Sequence, residues 1–201
     1  MAHAEPLALA LLGAGCSARF GPADKLIAPL CGRPLLAWAA AAGWMLPAEW
    51  HLLVTGVDTS LAAAAPGYRL LVNADADQGL SSSLRVAAME AGRLGAAALV
   101  VMLGDMPFVR PAHLHQLVAA FGVDDSRPVF SQMQHGAPCP PALFPAACFE
   151  ALKTQAGDRG ARALAFGAQL ITAPDWTLVD IDTPEDVAHA ATTWERQHDK
   201  G

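Results

Sequence analysis

Charge, cationic clusters, long apolar runs and paired cysteines are all scarce in this sequence, and each scarcity closes off a class of protein. Asp, Glu, Lys and Arg together make up only 16 % of the 201 residues, and hydrophobic residues make up 53 %. That balance is globular, and long enough for a sizeable core. The net charge of −6 argues against a broad nucleic-acid surface. No stretch reaches the roughly 18 apolar residues of a membrane span. The four cysteines, Cys16, Cys31, Cys139 and Cys148, form no Cys-x-x-Cys pair. Neither a zinc site nor a disulfide framework is indicated, and a reducing compartment is expected. The apolar run from Leu7 to Gly15 could pass for a signal-peptide core, but Glu5 precedes it where Lys or Arg would be required. A cytoplasmic chain is therefore expected. No internal repeat and no break in composition divides the chain, so one domain over 1–201 is expected, with a polar tail from about 196.

What is present is a glycine-bearing loop after a strand-like run, Leu12-Gly-Ala-Gly-Cys-Ser-Ala-Arg-Phe-Gly-Pro-Ala-Asp-Lys25. Glycines let backbone N–H groups approach an anion, and Arg19 and Lys25 add charge that N–H dipoles cannot supply. Gly13-x-Gly15-x-x-Ala18 fits the dinucleotide fingerprint, but that motif must open a helix at once and be followed by an acidic residue. Pro22, Pro29 and Pro34 break the next twenty residues, and Arg33 lies near the expected acidic position. The P-loop pattern fails as well, because Lys25 comes four residues after Gly21 and Leu26 follows it. A plain glycine-rich turn with two solvated cations is the structural alternative.

Along the chain, apolar runs and 3.6-residue periodicity alternate. Strands are expected at Leu7–Leu12, His51–Thr55, Arg69–Val72, Ala96–Leu103 and Pro128–Gln132, and near Leu170 and Leu178. Helices are expected from Pro34 to about Gly43, at Leu61–Ala65, from the Ser81-Ser82-Ser83 run to Leu94, from Pro111, at Pro145–Thr154 and at Gly160–Gly167. His135 to Pro145 is proline-rich and reads as an irregular loop with an edge strand. Thr183, Pro184 and Asp186 mark the start of a last helix, with Val187, Ala190, Ala191 and Trp194 as its apolar stripe. His113, His115 and His135 share no metal-ligand spacing and read as surface or helix residues. Alternating strands and helices predict an α/β fold, a three-layer α/β/α sandwich, whose ligands bind at the carboxyl ends of the strands. Three places fall on that edge: the loop after Leu12, the Asn73–Ser83 loop, and Asp105. Asp105 and Asp182 each follow an apolar run, and two carboxylates on one edge repel unless a cation lies between them. That cation is read as Mg²⁺, with Asp105 the nearer ligand.

The first loop resembles the signature L-A-[AG]-G-x-S-x-R-[FM]-G-x-x-K of the molybdenum-cofactor nucleotidyltransferase-like family, with Gly13 in place of the usual Ala. Gly104-Asp105-Met106-Pro107 and Asp180-Ile-Asp182-Thr-Pro-Glu-Asp resemble two further motifs of that family, in the same order. The resemblance runs from Leu7 to about Ala188. It implies a mostly parallel, Rossmann-like sheet of about seven strands, and an enzyme that joins an NMP unit to a phosphorylated acceptor and releases pyrophosphate. It implies catalytic roles for Arg19, Lys25 and Asp105, and a Mg²⁺ site at Asp105 and Asp182. Nucleotide contacts would come from Leu12, Gly13, Ala14, Gly15, Ser17, Arg19, Gly21 and Lys25, and from Asn73, Gly79, Ser81, Ser82 and Ser83. One of those serines is expected to cap the helix. The aromatic residue often found after the asparagine is Ala76 here. Acceptor contacts would come from Pro107, Gly136, Pro138, Asp158, Arg159 and Arg162, a set closer to the cytidylyltransferase branch than to the guanylyltransferase branch. Ala14 points the same way, toward CTP over GTP. Molybdopterin is the expected acceptor and a molybdoenzyme a possible partner. A sugar phosphate or methylerythritol phosphate acceptor, GTP as donor, and a non-catalytic nucleotide-binding chaperone of a molybdoenzyme remain the rival readings.

Overall fold

The first strand, β1 (Leu7–Leu12), is buried along its whole length and divides its side chains between two cores. Leu7, Leu9 and Leu11 face one, and Ala8, Ala10 and Leu12 face the other. Successive side chains on a strand alternate faces, so an unbroken apolar run marks a strand covered on both sides. The computed structural model describes residues 5–14, 20, 24–122, 126–154 and 160–198.

A short hairpin, β2 (Pro29–Leu30) and β3 (Arg33–Pro34), leads into α1 (Leu35–Trp44). Then come β4 (Trp50–Thr55), β5 (Arg69–Val72), α2 (Leu80–Leu94) and β6 (Ala98–Leu103). The second half holds α3 (Pro111–Ala120), β7 (Val129–Gln132), β8 (Pro138–Pro145), α4 (Phe149–Thr154), β9 (Gln169–Thr172) and α5 (Pro184–His198). Seven strands form one sheet in the order β5-β4-β1-β6-β8-β7-β9. β1 runs parallel to β4 and β6, β4 to β5, and β7 to β9, while β8 is antiparallel to both its neighbours. The fold is the expected α/β sandwich with a mostly parallel sheet.

The two cores differ in grain. Leu36, Ala39 and Ala40 of α1 pack on the leucine face of β1, and Leu114 and Leu117 of α3 extend the same core over β7 and β8. Leu84, Ala87, Ala88 and Ala91 of α2 pack on its alanine face, where small residues meet small residues. α1 also comes close to Tyr68, whose hydroxyl donates to the Ala40 carbonyl at 2.8 Å. A Cβ on Gly43 would lie 2.5 Å from that hydroxyl oxygen, so no larger residue fits there without displacement. α5 opens on the expected capping arrangement. Thr183 Oγ1 accepts from the Asp186 N–H at 3.2 Å, and Asp186 Oδ2 accepts from the N–H groups of Asp182 and Thr183 at 3.0 and 2.8 Å.

Several expectations need correction. The proline-rich stretch is no edge element: β8 lies between β6 and β7. Its prolines sit at 138, 140, 141 and 145, leaving Ala142, Leu143 and Phe144 to pair with Val101, Val100 and Leu99. The Pro140–Pro141 bond is cis, and the register with β7 shifts between Phe130 and Ser131. No strand forms near Leu178; a 3-10 turn, Asp175–Thr177, takes its place. Leu61–Ala65 and Gly160–Gly167 are also 3-10 turns, at Ser60–Ala64 and Gly160–Ala165, too short to propagate an α-helix. Pro145–Thr154 divides into a 3-10 turn, Ala146–Cys148, and α4. The backbone of α5 continues to His198, past the expected onset of the tail at 196.

His113 is not a surface residue. It is 5 % exposed and packs under the sheet, with Nε2 2.7 Å from Ser131 Oγ. Burial pushes its pKa below the unfolded-chain value of 6.5, against a smaller upward pull from Gln116. Below pH 6.5 the unfolded chain then binds a proton that the folded chain refuses, so this group's contribution is present above 6.5 and lost as pH falls toward its lowered folded value. Urea unfolding of wild type and His113→Gln across this range should show a flatter acid limb in the variant; parallel curves would show that His113 does not titrate differently on folding.

Candidate active site

The carboxyl ends of β1, β4 and β6 converge, and backbone hydrogen bonds carry their ladders beyond the strands. Gly13 N–H donates to Val54 O at 2.8 Å, Asn73 N–H to Thr55 O at 2.8 Å, and Gly104 N–H to Leu12 O at 2.9 Å. A Cβ on Gly104 would lie 2.7 Å from Leu36 Cδ1 and 3.2 Å from the Leu12 carbonyl oxygen, so a larger residue here would have to displace Leu36. Asp24 Oδ1 accepts from the Leu26 N–H at 2.9 Å and caps the 3-10 turn Lys25–Ile27. That turn buries Lys25 to 8 % exposure.

The Lys25 ammonium joins the two aspartates. Nζ donates to Asp105 Oδ2 at 2.7 Å and to Asp182 Oδ1 at 2.7 Å. The two acceptor oxygens therefore lie no farther apart than twice that distance. Asp182 owes its place to the last connection rather than to a strand: the Ile181 N–H donates to the Asp105 carbonyl at 3.0 Å. Burial alone would push the Lys25 pKa down, but Asp105 and Asp182 together outweigh it and hold the ammonium above its usual range. Burial pushes the Asp105 carboxyl up, opposed by Lys25 and reinforced by Asp180. Asp180 is thus a third carboxylate near the first two.

Two cavities adjoin this cluster. One, of about 400 Å³, is lined by Leu12, Ala14, Lys25, Gly79, Ser83 and Asp105, and also by Ala76 and Asp77. The second, of about 310 Å³, is largely apolar and is lined by Met106, Phe130, Met133, Pro138, Cys139 and Asp180 among others. Leu12, Leu80 and Leu103 border both, so the two are neighbours.

The structure sorts the expected site residues. Leu12, Ala14, Lys25, Gly79, Ser83 and Asp105 share the first cavity, and Asp182 meets them through Lys25. Gly79 has φ +88°, a conformation that glycine alone adopts freely, and it stands at the helix cap itself. None of the serines caps α2 through its side chain. Ser82 Oγ instead donates to the Gly79 carbonyl at 2.8 Å and accepts from Asn73 Nδ2 at 2.8 Å. Asn73 also donates to Ser83 Oγ at 3.1 Å. Asn73, Ser81 and Ser82 are buried. Asn73 and Ser82 brace the loop from behind. Gly13 is packed against Leu26 and Leu61 rather than facing the cavity.

Of the residues expected to touch an acceptor, Pro138 lines the second cavity. Gly136 closes a turn, its N–H donating to Met133 O at 2.9 Å and its carbonyl accepting from Gln132 Nε2 at 2.7 Å. Pro107 departs from expectation. It is buried in a separate groove with Trp38 and Trp176, because the turn after Asp105 sends Met106, not Pro107, into the second cavity. Gly15, Ser17, Arg19, Gly21, Asp158 and Arg159 lie outside the described residues, as does the side chain of Arg162. Sequence reasoning passed over Asp77, Asp180 and His113. Asp180 had a signal, its place two residues before Asp182; burial of His113 had none.

Among the described residues no group of three or more His, Cys, Asp and Glu could hold a metal ion. The donor set still fits a hard cation of the Mg²⁺ type, which takes one or two carboxylates plus substrate phosphates. Asp105 Oδ1 is buried and has no hydrogen-bond partner among the described residues, the kind of orphaned oxygen such an ion would satisfy.

Residues 9–193 match the MobA-like NTP transferase domain. The chain belongs to that family. Purine catabolism protein PucB of Bacillus subtilis is 36 % identical over 125 residues, which are 59 % of this chain and 59 % of PucB; the match thus spans under two thirds of that relative. A homologue of Mycobacterium tuberculosis Rv0371c from Mycobacterium sp. strain JC1 superposes with a TM-score of 0.82 at 24 % identity, covering 96 % of this chain and 98 % of that one. Rv0371c in complex with manganese gives 0.75 at 20 % identity, covering 94 % of this chain and 100 % of that one. Molybdopterin-guanine dinucleotide biosynthesis protein A from Archaeoglobus fulgidus gives 0.67 at 19 %, covering 94 % and 99 %. At these identities the structures share the fold.

Removing Lys25 leaves two partly buried carboxylates facing each other. Lys25→Ala should lose about 2–3 kcal/mol of stability at neutral pH, less than the cost of breaking a fully buried pair. It should also gain more in Tm from added Mg²⁺ than wild type does, because the ion then replaces the missing positive charge. Thermal unfolding of both proteins with and without Mg²⁺ checks this; an equal gain would separate the ion from these carboxylates.

Proposed function

We propose that the protein is a Mg²⁺-dependent nucleotidyltransferase, acting in the cytoplasm, that moves CMP from CTP to the phosphate of molybdopterin and releases pyrophosphate. Membership of an NTP transferase family supports the reaction class. The observation that carries the reading is the cluster of Lys25, Asp105 and Asp182 at the mouth of a cleft bordered by Ala14, Gly79 and Ser83. The molybdopterin acceptor is supported by the motif resemblance and by the likeness to the Archaeoglobus molybdopterin-guanine dinucleotide biosynthesis protein A. A molybdoenzyme is the proposed recipient of the product.

The acceptor phosphate attacks the α-phosphorus in line, and pyrophosphate leaves from the opposite side. Little covalent work falls to the protein, so positioning and neutralisation of charge dominate. Asp105 and Asp182 would hold Mg²⁺, which would polarise the α-phosphate. Lys25 stabilises the negative charge that grows on that phosphate, and Arg19 holds the β- and γ-phosphates. Ala14 and Gly79 border the base, and Ser83 lies at the N-terminal turn of α2, where negative charge is favoured. An acceptor already ionised at neutral pH needs no general base. The Ala14 methyl narrows the room beside the base and favours a pyrimidine.

Pyrophosphate release from CTP, Mg²⁺ and molybdopterin tests the whole reading. Nucleotide binding without release would instead make the protein a chaperone. kcat/KM for CTP should exceed that for GTP by about tenfold, the discrimination one methyl group can supply; a GTP preference would reverse the base assignment. Asp105→Asn should nearly abolish turnover, while Asp182→Asn should weaken it and raise the Mg²⁺ requirement. Lys25→Ala should lower kcat by about 10²-fold or more, as expected for a group that meets charge in the transition state. Full turnover by any of the three folded variants would remove that residue from the mechanism.

A further inference from the structure

The second cavity has a wall of unusual construction. Phe130 pairs with Ala142, but the next pair is Ser131 with Cys139, so Pro140 and Pro141 are two residues with no partner in the β7 ladder. Proline has no N–H to donate, and backbone pairing cannot close such a bulge from its own side. The closure comes from side chains. Ser131 Oγ donates to the Pro141 carbonyl at 2.5 Å, and His113 Nε2 lies 2.7 Å from that serine Oγ. A serine hydroxyl has one proton. Since that proton goes to Pro141, the Nε2–H of His113 must be the donor in the other bond, and this network assigns the imidazole tautomer. Ser131 is fully buried and His113 nearly so. The chain His113–Ser131–Pro141 therefore ties α3 to the bulge through the sheet.

The two faces of β7 have different tasks. Val129 belongs to the core that α3 shares, whereas Phe130 belongs to the core on the α2 side and borders the second cavity. Ser131, next along the strand, returns to the α3 side. Pro138, Cys139 and Pro140, which the bulge places, line the cavity with Phe130 and Met133. His113 and Ser131 thus lie on the α3 side, whereas Phe130, Ala142 and Phe144 border the cavity from the α2 side, and Met133 and Cys139 reach it from the core that α3 shares.

We infer that His113 is a positioning residue for the acceptor side of the cleft, holding the Pro138–Pro140 wall through Ser131 without touching either substrate. The role rests on the reading of the second cavity as the acceptor site. The nucleotide cavity shares no lining residue with β7 or β8, so loss of the tie should be felt by one substrate and not by the other. The requirement is for an N–H donor of the right reach, which glutamine supplies and phenylalanine does not.

Two measurements test it. The first needs no activity: hydrogen exchange of the backbone amides over residues 131–139 should speed up about tenfold in His113→Phe and in Ser131→Ala, and return close to wild type in His113→Gln. The second uses CTP, Mg²⁺ and molybdopterin. The KM for molybdopterin should rise about tenfold in His113→Phe and Ser131→Ala with the KM for CTP unchanged, and His113→Gln should restore it; small displacements of a wall have effects of at least this size. Unchanged exchange in both disruptive variants, a parallel rise of both KM values, or failure of His113→Gln to rescue would overturn the assignment. If wild type releases no pyrophosphate with this acceptor, the proposed function fails, while the exchange result still decides whether His113 holds the bulge.

Discussion

The ion cluster of Lys25, Asp105 and Asp182 is the joint on which the functional edge depends. Its three members come from the loop after β1, the end of β6 and the approach to α5, and the backbone bond from the Ile181 N–H to the Asp105 carbonyl ties the third to the second. Taking these charges out of water is costly, and attraction offsets the cost only with short, well-directed bonds. Among the described residues Asp105 Oδ1 is buried without a hydrogen-bond partner, so these two bonds leave one of its oxygens uncompensated. In this structure the Lys25 ammonium supplies the positive charge between the two carboxylates, the place that the proposed function would give to a divalent ion.

Around that joint lie two neighbouring cavities. The proposed nucleotide side is made by β1, the turn at Lys25 and the Asn73–Ser83 loop. That loop is braced from behind by Asn73 and Ser82, so that Gly79 can hold a left-handed conformation at the helix start. The proposed acceptor side is bordered by residues of β6, β7 and β8 and is largely apolar. Leu12, Leu80 and Leu103 form the ridge between the two sides, close to where the proposed reaction would take place.

Much of this was legible in the sequence. Runs such as Leu7–Leu12 and Ala98–Leu103 are strands because nothing else buries both faces of so short an apolar segment. The Thr183-to-Asp186 cap is local chemistry and needs no knowledge of the fold. The meeting of Asp105 with Asp182 followed from placing both on one edge, although Asp182 reaches it without a strand. What could not be read depends on distant partners. Prolines 138 to 145 argue for a loop locally, and only pairing with β6 and β7 makes them a strand. His113 lies on a helix whose apolar stripe explains Leu114 and Leu117, and nothing in its neighbours announces Ser131. The aspartates call for a cation by repulsion alone, and charge cannot say whether that cation is a metal ion or, as in this structure, Lys25.

The antiparallel strand also sets an order of assembly. β7 and β8 are joined by a short hairpin, whereas the bonds from Lys25 reach across 80 residues to Asp105 and 157 to Asp182. Closing a loop costs more entropy the longer it is, and contacts distant in sequence form late. The acceptor-side wall is thus among the first parts of the sheet that can form, and the charged joint among the last. A chain that has not brought its C-terminal segment home thus has the wall and the Lys25–Asp105 pair but lacks Asp182, the member that closes the joint.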